Sequence, residues 1–332
     1  MQKMRTGWCN NSDYSKRENM SESRARASAE QQALVASQIA QITEERILAH
    51  LERLVGIKHP VAAPEALQAG ADYILAQMKS FGLDPLEEAI EGERNERFVN
   101  LIGRESGSRV GKKILVIGAH YDTVSESPGA DDNASGLAAL LEAARILAPL
   151  RGKLTPQFVA FSLEEEGFLG SDHYARQVRR NKVPLWGAII LECVGYTDAR
   201  PGSQSAPPGL PIKLPDRGDF IGLVGNAGAE PIQKAYEVAV STYCPELPCV
   251  SFLVPGKGEA LPDTRRSDHV PFWDRGYRAV MLTDTADFRN PNYHKKSDLL
   301  KTLDLPFITR VARSLAAAVI DLAELKETNT ES

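Results

Sequence analysis

Four short segments of this chain combine histidine with carboxylates in patterns that could do chemistry. The first reads Gly118-Ala-His-Tyr-Asp122 and is followed, after a short loop, by Pro128-Gly-Ala-Asp-Asp-Asn-Ala-Ser-Gly136. The second is Phe161-Ser-Leu-Glu-Glu-Glu-Gly167, the third Ile189-Ile-Leu-Glu192 and the fourth Asn292-Tyr-His-Lys-Lys-Ser-Asp298. Neutral imidazole nitrogen together with hard carboxylate oxygen is a mixture that zinc accepts. Each segment alone also has a plainer account. His120 could be a satisfied structural histidine, Asp131-Asp132-Asn133 could cap the helix that follows, and the glutamate triplet could be solvated charge. Glu192 is the hardest to explain that way, because it ends a run, Ala188-Ile-Ile-Leu191, that reads as a strand buried on both faces.

The elements that must position these groups alternate. Helical spacing is predicted over 29–54, 64–81, 134–147, 171–180, 231–240 and 306–325, with Gly82 placed to turn the chain after the second helix. Strands are predicted over 85–91, 97–102, 114–119, 158–163, 188–191, 220–224, 250–254 and 279–283. Short apolar strands alternating with helices imply an α/β fold with a largely parallel sheet covered on both faces. All four histidine and carboxylate segments then follow the carboxyl ends of predicted strands, the side on which such sheets bind ligands.

Two regions stand apart. Residues 1–28 are polar throughout and are expected to form a disordered tail, leaving 29–328 as one catalytic domain. Met20 offers a second start for the chain. Residues 200–219 are too rich in Pro, Gly and Ser for a simple connection, so a long loop over 196–219 is expected near the site.

Composition narrows the function further. With 42% hydrophobic and 25% charged residues the chain is expected to be globular, and a net charge of −5 argues against binding nucleic acid through neutralised phosphates. The N-terminus has no apolar core of signal-peptide type and no run is long enough to span a membrane, so a soluble, cytoplasmic protein is expected. Four cysteines are too few for a disulfide scaffold, although Cys244 and Cys249 could close one loop. Oligomeric state is not legible.

Over roughly residues 45–325 the chain resembles the co-catalytic dizinc aminopeptidases of the bacterial leucine-aminopeptidase type. That family's pattern is His-x-Asp at a strand end, then Gly-Ala-Asp-Asp-x-Ala-Ser-Gly, Glu-Glu-x-Gly, a lone Asp or Glu, and Tyr-His. All five parts occur here in order. The resemblance implies a single three-layer zinc-exopeptidase domain of the phosphorylase/hydrolase-like kind, with a central mixed, mostly parallel sheet and helices on both faces. It also implies two divalent metal ions, zinc first among them. Asp131 would bridge the ions, His120 and Glu192 would complete one site, and Glu165 and His294 the other.

In the same reading Glu164 is the general base acting on a metal-bridging hydroxide's parent water, and Tyr293 stabilises the oxyanion. Gly167 fixes the register of the glutamate triplet and leaves Glu166 outside. Asp122 would accept the second ring N–H of His120, Asp132 would lie just outside the ligand set, and Asp131-Asp132 would carry the family's cis peptide bond. Asp268 and His269, in Ser267-Asp-His-Val-Pro-Phe-Trp273, are supporting residues. The implied activity is removal of N-terminal residues from a peptide or amino-acid-derived substrate. A related dizinc carboxypeptidase and a glutaminyl cyclase-like acyltransferase are the alternatives; acidic groups meeting an α-amine, or an arginine clamp meeting a carboxylate, would separate the two peptidases.

Overall fold

A computed structural model describes residues 29–91, 97–105 and 112–327, so the predicted 1–28 tail lies outside the described residues. Eight strands form one sheet: β1 (Leu83–Glu91), β2 (Arg97–Glu105), β3 (Lys113–His120), β5 (Leu154–Phe161), β6 (Leu185–Glu192), β7 (Ile221–Asn226), β8 (Cys249–Val254) and β9 (Ala279–Thr283). Their order is β1-β2-β5-β3-β6-β9-β7-β8. A two-residue strand β4 (Leu150–Arg151) pairs separately with β10 (Lys326–Glu327).

The four central strands β5, β3, β6 and β9 are mutually parallel. β1 and β2 add an antiparallel hairpin at one edge, and β7 and β8 form a parallel pair joined antiparallel to β9 at the other. Side chains alternate across the middle: Leu115, Ile117 and Ala119 of β3 enter the larger core, while Val116 enters the smaller one on the opposite face. This two-sided burial is why the central strands read as unbroken apolar runs.

Eight α-helices are described: α1 (Ala29–Ile39), α2 (Glu44–Leu54), α3 (Pro64–Ser80), α4 (Gly136–Leu147), α5 (Leu169–Arg180), α6 (Glu230–Tyr243), α7 (Val270–Asp274) and α8 (Leu305–Leu322). Core residues of α1 to α4, α6 and α8 join the larger cluster, and those of α5 and α7 the smaller. Eleven of the twelve residues of α4 are buried, which suits a helix apolar nearly all round.

The predicted helix over 29–54 is two helices. Thr43 turns extended between them and its side chain accepts the N–H of Arg46 at 3.4 Å, capping α2. Helical composition alone does not expose this break, because the cap threonine stands within an otherwise periodic run. Gly82 adopts φ +80° and turns α3 into β1, as its type suggests. Cys244 and Cys249 are free thiols, so the loop they could have closed is unbridged.

Candidate active site

The parallel register brings the chemistry together. His120 ends β3 opposite Phe161, where β5 hands over to the glutamate loop, and Glu192 ends β6 opposite Thr283 of β9. The turn 130–135 then crosses this end of the sheet before α4 begins. Left-handed backbone at non-glycine residues gathers here: Leu163 (57°) and Phe168 (63°) flank the glutamates, Cys193 (50°) follows Glu192, and His294 itself stands at 57°. Such conformations persist only where surrounding structure holds them, and they concentrate at functional sites.

Two groups of ligand-type atoms result, one made by His120, Asp132 and Glu192 and the other by Asp132, Glu165 and His294, each with its atoms within 4.8 Å of one another. Asp132 belongs to both. One of its oxygens lies 3.1 Å from Nε2 of His120 and the other 3.0 Å from Nε2 of His294. Nε2 of His120 is also 3.4 Å from Glu192, and Nε2 of His294 is 3.2 Å from Glu165. Glu164 is buried beside them, 3.9 Å from His120.

This corrects the expected bridge. Asp131 belongs to neither group. Its carboxylate is turned inward, where it accepts the N–H of Gly195 at 2.8 Å and the amide of Asn290 at 2.7 Å. The cis peptide bond likewise lies one residue later than expected, between Asp132 and Asn133. Adjacent aspartates are chemically identical in the sequence; the partners of Asp131 decide which of them faces the cluster.

Asp122 also differs from expectation. Nδ1 of His120 donates to the backbone carbonyl of Asp122 at 3.1 Å, while the nearest carboxylate oxygen is 3.7 Å away. The carboxylate instead accepts the N–H groups of Glu164 at 3.1 Å and Glu165 at 3.2 Å, which fixes the glutamate loop. Several supporting residues have no role that the sequence alone would assign. Asp298, fully buried, accepts the N–H groups of Asp131 (3.0 Å) and Asp132 (3.2 Å). Ser267 donates to Glu192 at 2.7 Å. Asn100 accepts the N–H of Ser162 and donates to the carbonyl of Gly170, bracing the glutamate loop from β2. Asp298 stands only four residues beyond His294, and its coincidence with the Tyr-His segment is the one signal that could have found it.

The electrostatics are those of a crowded anionic cluster. Burial pushes Glu164 well above the usual carboxylate range, and burial together with the charge of Asp132 lifts Glu165 to about 7. Burial also raises Asp132, but its close approach to the His120 and His294 rings outweighs it and holds that carboxyl low. For His294 burial favours the neutral ring, yet its bonds to Asp132 and Glu165 raise it to about 10. His269 shows the opposite behaviour, since burial lowers it to about 4 while its Nε2 meets the carbonyl of Thr264 at 2.8 Å.

These residues fit metal ions. Nε2 of His120, one oxygen of Asp132 and one of Glu165 are buried without a hydrogen bond, and unpaired buried polar atoms are costly unless something else satisfies them. Imidazole and carboxylate donors on two adjoining triads are a zinc-type set.

An open cavity adjoins the cluster, with Glu192 and Tyr293 in its wall. The loop expected near the site supplies one side: Asp198 and Gly218 pair at its stem, Gln204 bonds Thr285 and Arg289, and Pro207, Leu210, Ile212 and Leu214 face the cavity. Phe220, Phe252 and Met281 face them from the sheet. Tyr293 stacks on His294 with ring centroids 3.9 Å apart. Arg266 lines the same wall but is paired with Asp287 at 3.0 Å and Asp263 at 3.8 Å.

Comparison with known proteins places this arrangement in a family. The model of peptidase family M28 matches residues 100–319, which contain every residue of both groups. The chain belongs to peptidase family M28. It is 32% identical over 284 residues to the uncharacterized protein YfbL of Escherichia coli, covering 75% of this chain and 85% of that one. A probable zinc metalloprotease of Phaeosphaeria nodorum is 28% identical over 278 residues, 69% of this chain and 54% of the relative, so this chain spans about half of that protein. The LapA aminopeptidase of Legionella pneumophila shares the fold, with a TM-score of 0.70 at 19% identity over 87% of this chain and 74% of its own. Membership makes this M28 protein a metal-dependent peptide hydrolase, with zinc the metal its relatives point to.

Proposed function

We propose that this M28 protein is an aminopeptidase that holds two zinc ions and removes N-terminal residues with apolar side chains from peptides. The observation that carries the reading is the sharing of Asp132 between two triads, His120 with Glu192 and Glu165 with His294. Ions bound there would polarise the scissile carbonyl and acidify a water molecule.

The remaining work falls to side chains of the protein. Glu164 belongs to neither triad yet lies 3.9 Å from His120, where it takes the proton of the attacking water and passes it to the departing nitrogen. Burial, which raises its proton affinity, suits it to both halves of that transfer. The Tyr293 hydroxyl, kept protonated by its buried setting, is the hydrogen-bond donor for the oxyanion. The cavity beside Glu192 receives the first side chain, and its apolar wall excludes water around the reacting bond.

Removal from the N-terminal end, rather than the C-terminal end, is supported by charge. Arg266, the arginine in the cavity wall, is already paired with two aspartates and so is not free to clamp a substrate carboxylate. Hydrolysis of leucyl-p-nitroanilide, lost on chelation and restored by zinc, together with no cleavage of N-acetylated peptides, is the expected result. Cleavage of blocked peptides from the C-terminal end would replace this reading with a carboxypeptidase.

A further inference from the structure

Among the described residues only two large apolar side chains stand exposed, Val61 at 77% and Leu169 at 47% of full accessibility. A single exposed leucine needs no explanation, but these two occupy segments that meet beside the glutamate loop. Val61 lies in the loop 59–63, whose sequence after His59 is Pro-Val-Ala-Ala. Nδ1 of His59 accepts the N–H groups of Val61 and Ala62, both at 3.0 Å, which folds the loop around the ring. An accepting Nδ1 leaves the ring proton on Nε2, and Nε2 faces Glu166 at 3.6 Å. Glu166 directly follows Glu165, and Leu169 comes three residues later at the start of α5. The His59–Glu166 contact therefore joins the two segments that carry the exposed side chains.

Their position relative to the cavity gives them a use. The cavity is walled by Glu192 and Tyr293 and takes no residue from 59–63 or 164–169. A peptide whose first side chain fills it must send the rest of its chain away, past the glutamate that protonates the leaving nitrogen. The glutamate loop runs on from Glu164 through Glu166 to Leu169, and the His59–Glu166 contact sets the loop of Val61 beside it.

We propose that Val61 and Leu169 form the subsite for the residue following the scissile bond and favour an apolar side chain there. The proposal rests on the aminopeptidase reading. Burying a side chain against exposed apolar surface discriminates by an amount typical of a hydrophobic subsite, so kcat/KM for leucyl-phenylalaninamide is expected to exceed that for leucyl-glycinamide about tenfold.

The test is that ratio, measured with the zinc-loaded full chain, in the wild type and in a Val61→Ser/Leu169→Ser double variant. Both substitutions are at exposed positions and should leave the fold intact, which circular dichroism verifies. A ratio falling from about ten to about one supports the subsite. In Val61→Glu, leucyl-lysinamide should gain about threefold relative to leucyl-phenylalaninamide. A wild-type ratio near one, or a ratio unmoved by the double substitution, overturns the proposal while leaving the aminopeptidase reading in place. Cleavage of neither dipeptide amide by folded, zinc-loaded protein overturns both.

Discussion

The two halves of the metal cluster are built differently although they share Asp132. The inner group, His120 with Glu192, stands on the ends of the central strands β3 and β6, and all three of its members are buried. The outer group, Glu165 with His294, stands on loops, and the His294 side chain is 37% exposed. Strand ends are held by the sheet on both sides, whereas loop ligands depend on local bracing, here the carboxylate of Asp122 behind the glutamates and Asp298 behind the aspartate turn. The inner half is thus the more firmly held seat, and under the two-ion proposal the outer half would lose its ion first.

The largest expected effect is one that leaves this asymmetry untouched. Glu164→Gln should lower kcat about a thousandfold with bound zinc unchanged by atomic absorption, because Glu164 lies outside both triads. Loss of metal together with activity would place Glu164 among the ligands instead. Next come the two histidines, which should behave differently. His120→Ala leaves Asp132 and Glu192 buried without their partner and should cost about 3 kcal/mol in denaturant unfolding of the metal-free protein. His294→Ala, at a partly exposed position, should cost less than about 1 kcal/mol yet remove one equivalent of zinc. Equal destabilisation by the two would erase the distinction between seat and exchangeable half.

The buried His269, two residues from Ser267, should also impart acid sensitivity. His269 titrates near 4 in the folded chain and 6.5 when unfolded. Between those values the unfolded state binds the extra proton, so stability is complete above pH 6.5 and is lost as pH falls toward 4, by roughly 3 kcal/mol. His269→Gln should flatten that part of the pH profile of unfolding; an unchanged profile would assign the sensitivity elsewhere. The smallest effect is expected from Ser267→Ala, which frees one oxygen of Glu192 and should weaken zinc at the inner group alone about tenfold, as read by competition with a chelator.

Much of this fold and site is legible in the residues alone. The central strands are recognisable because parallel strands buried on both faces must be apolar throughout, and Glu192 is conspicuous because it ends such a run. His120, Glu164, Glu165, Glu192 and His294 all follow from motifs at strand ends, and the structure gathers them within one cluster. The supporting shell is not legible in that way. Asn100, Ser267 and Asp298 act over separations of 62, 75 and 166 residues, and no local pattern marks a side chain whose partner is so distant.

The sequence by itself determined the order of strands and helices, the end of the sheet at which chemistry gathers and the types of donor available there. These depend on periodicity and residue type, which are local properties. Only the tertiary structure decided between Asp131 and Asp132. Two neighbouring carboxylates are equivalent until the turn is folded, and then Gly195 and Asn290 hold one inward while His120 and His294 meet the other. The same holds for the segments of Val61 and Leu169, which meet only because His59 reaches Glu166 across 107 residues of chain.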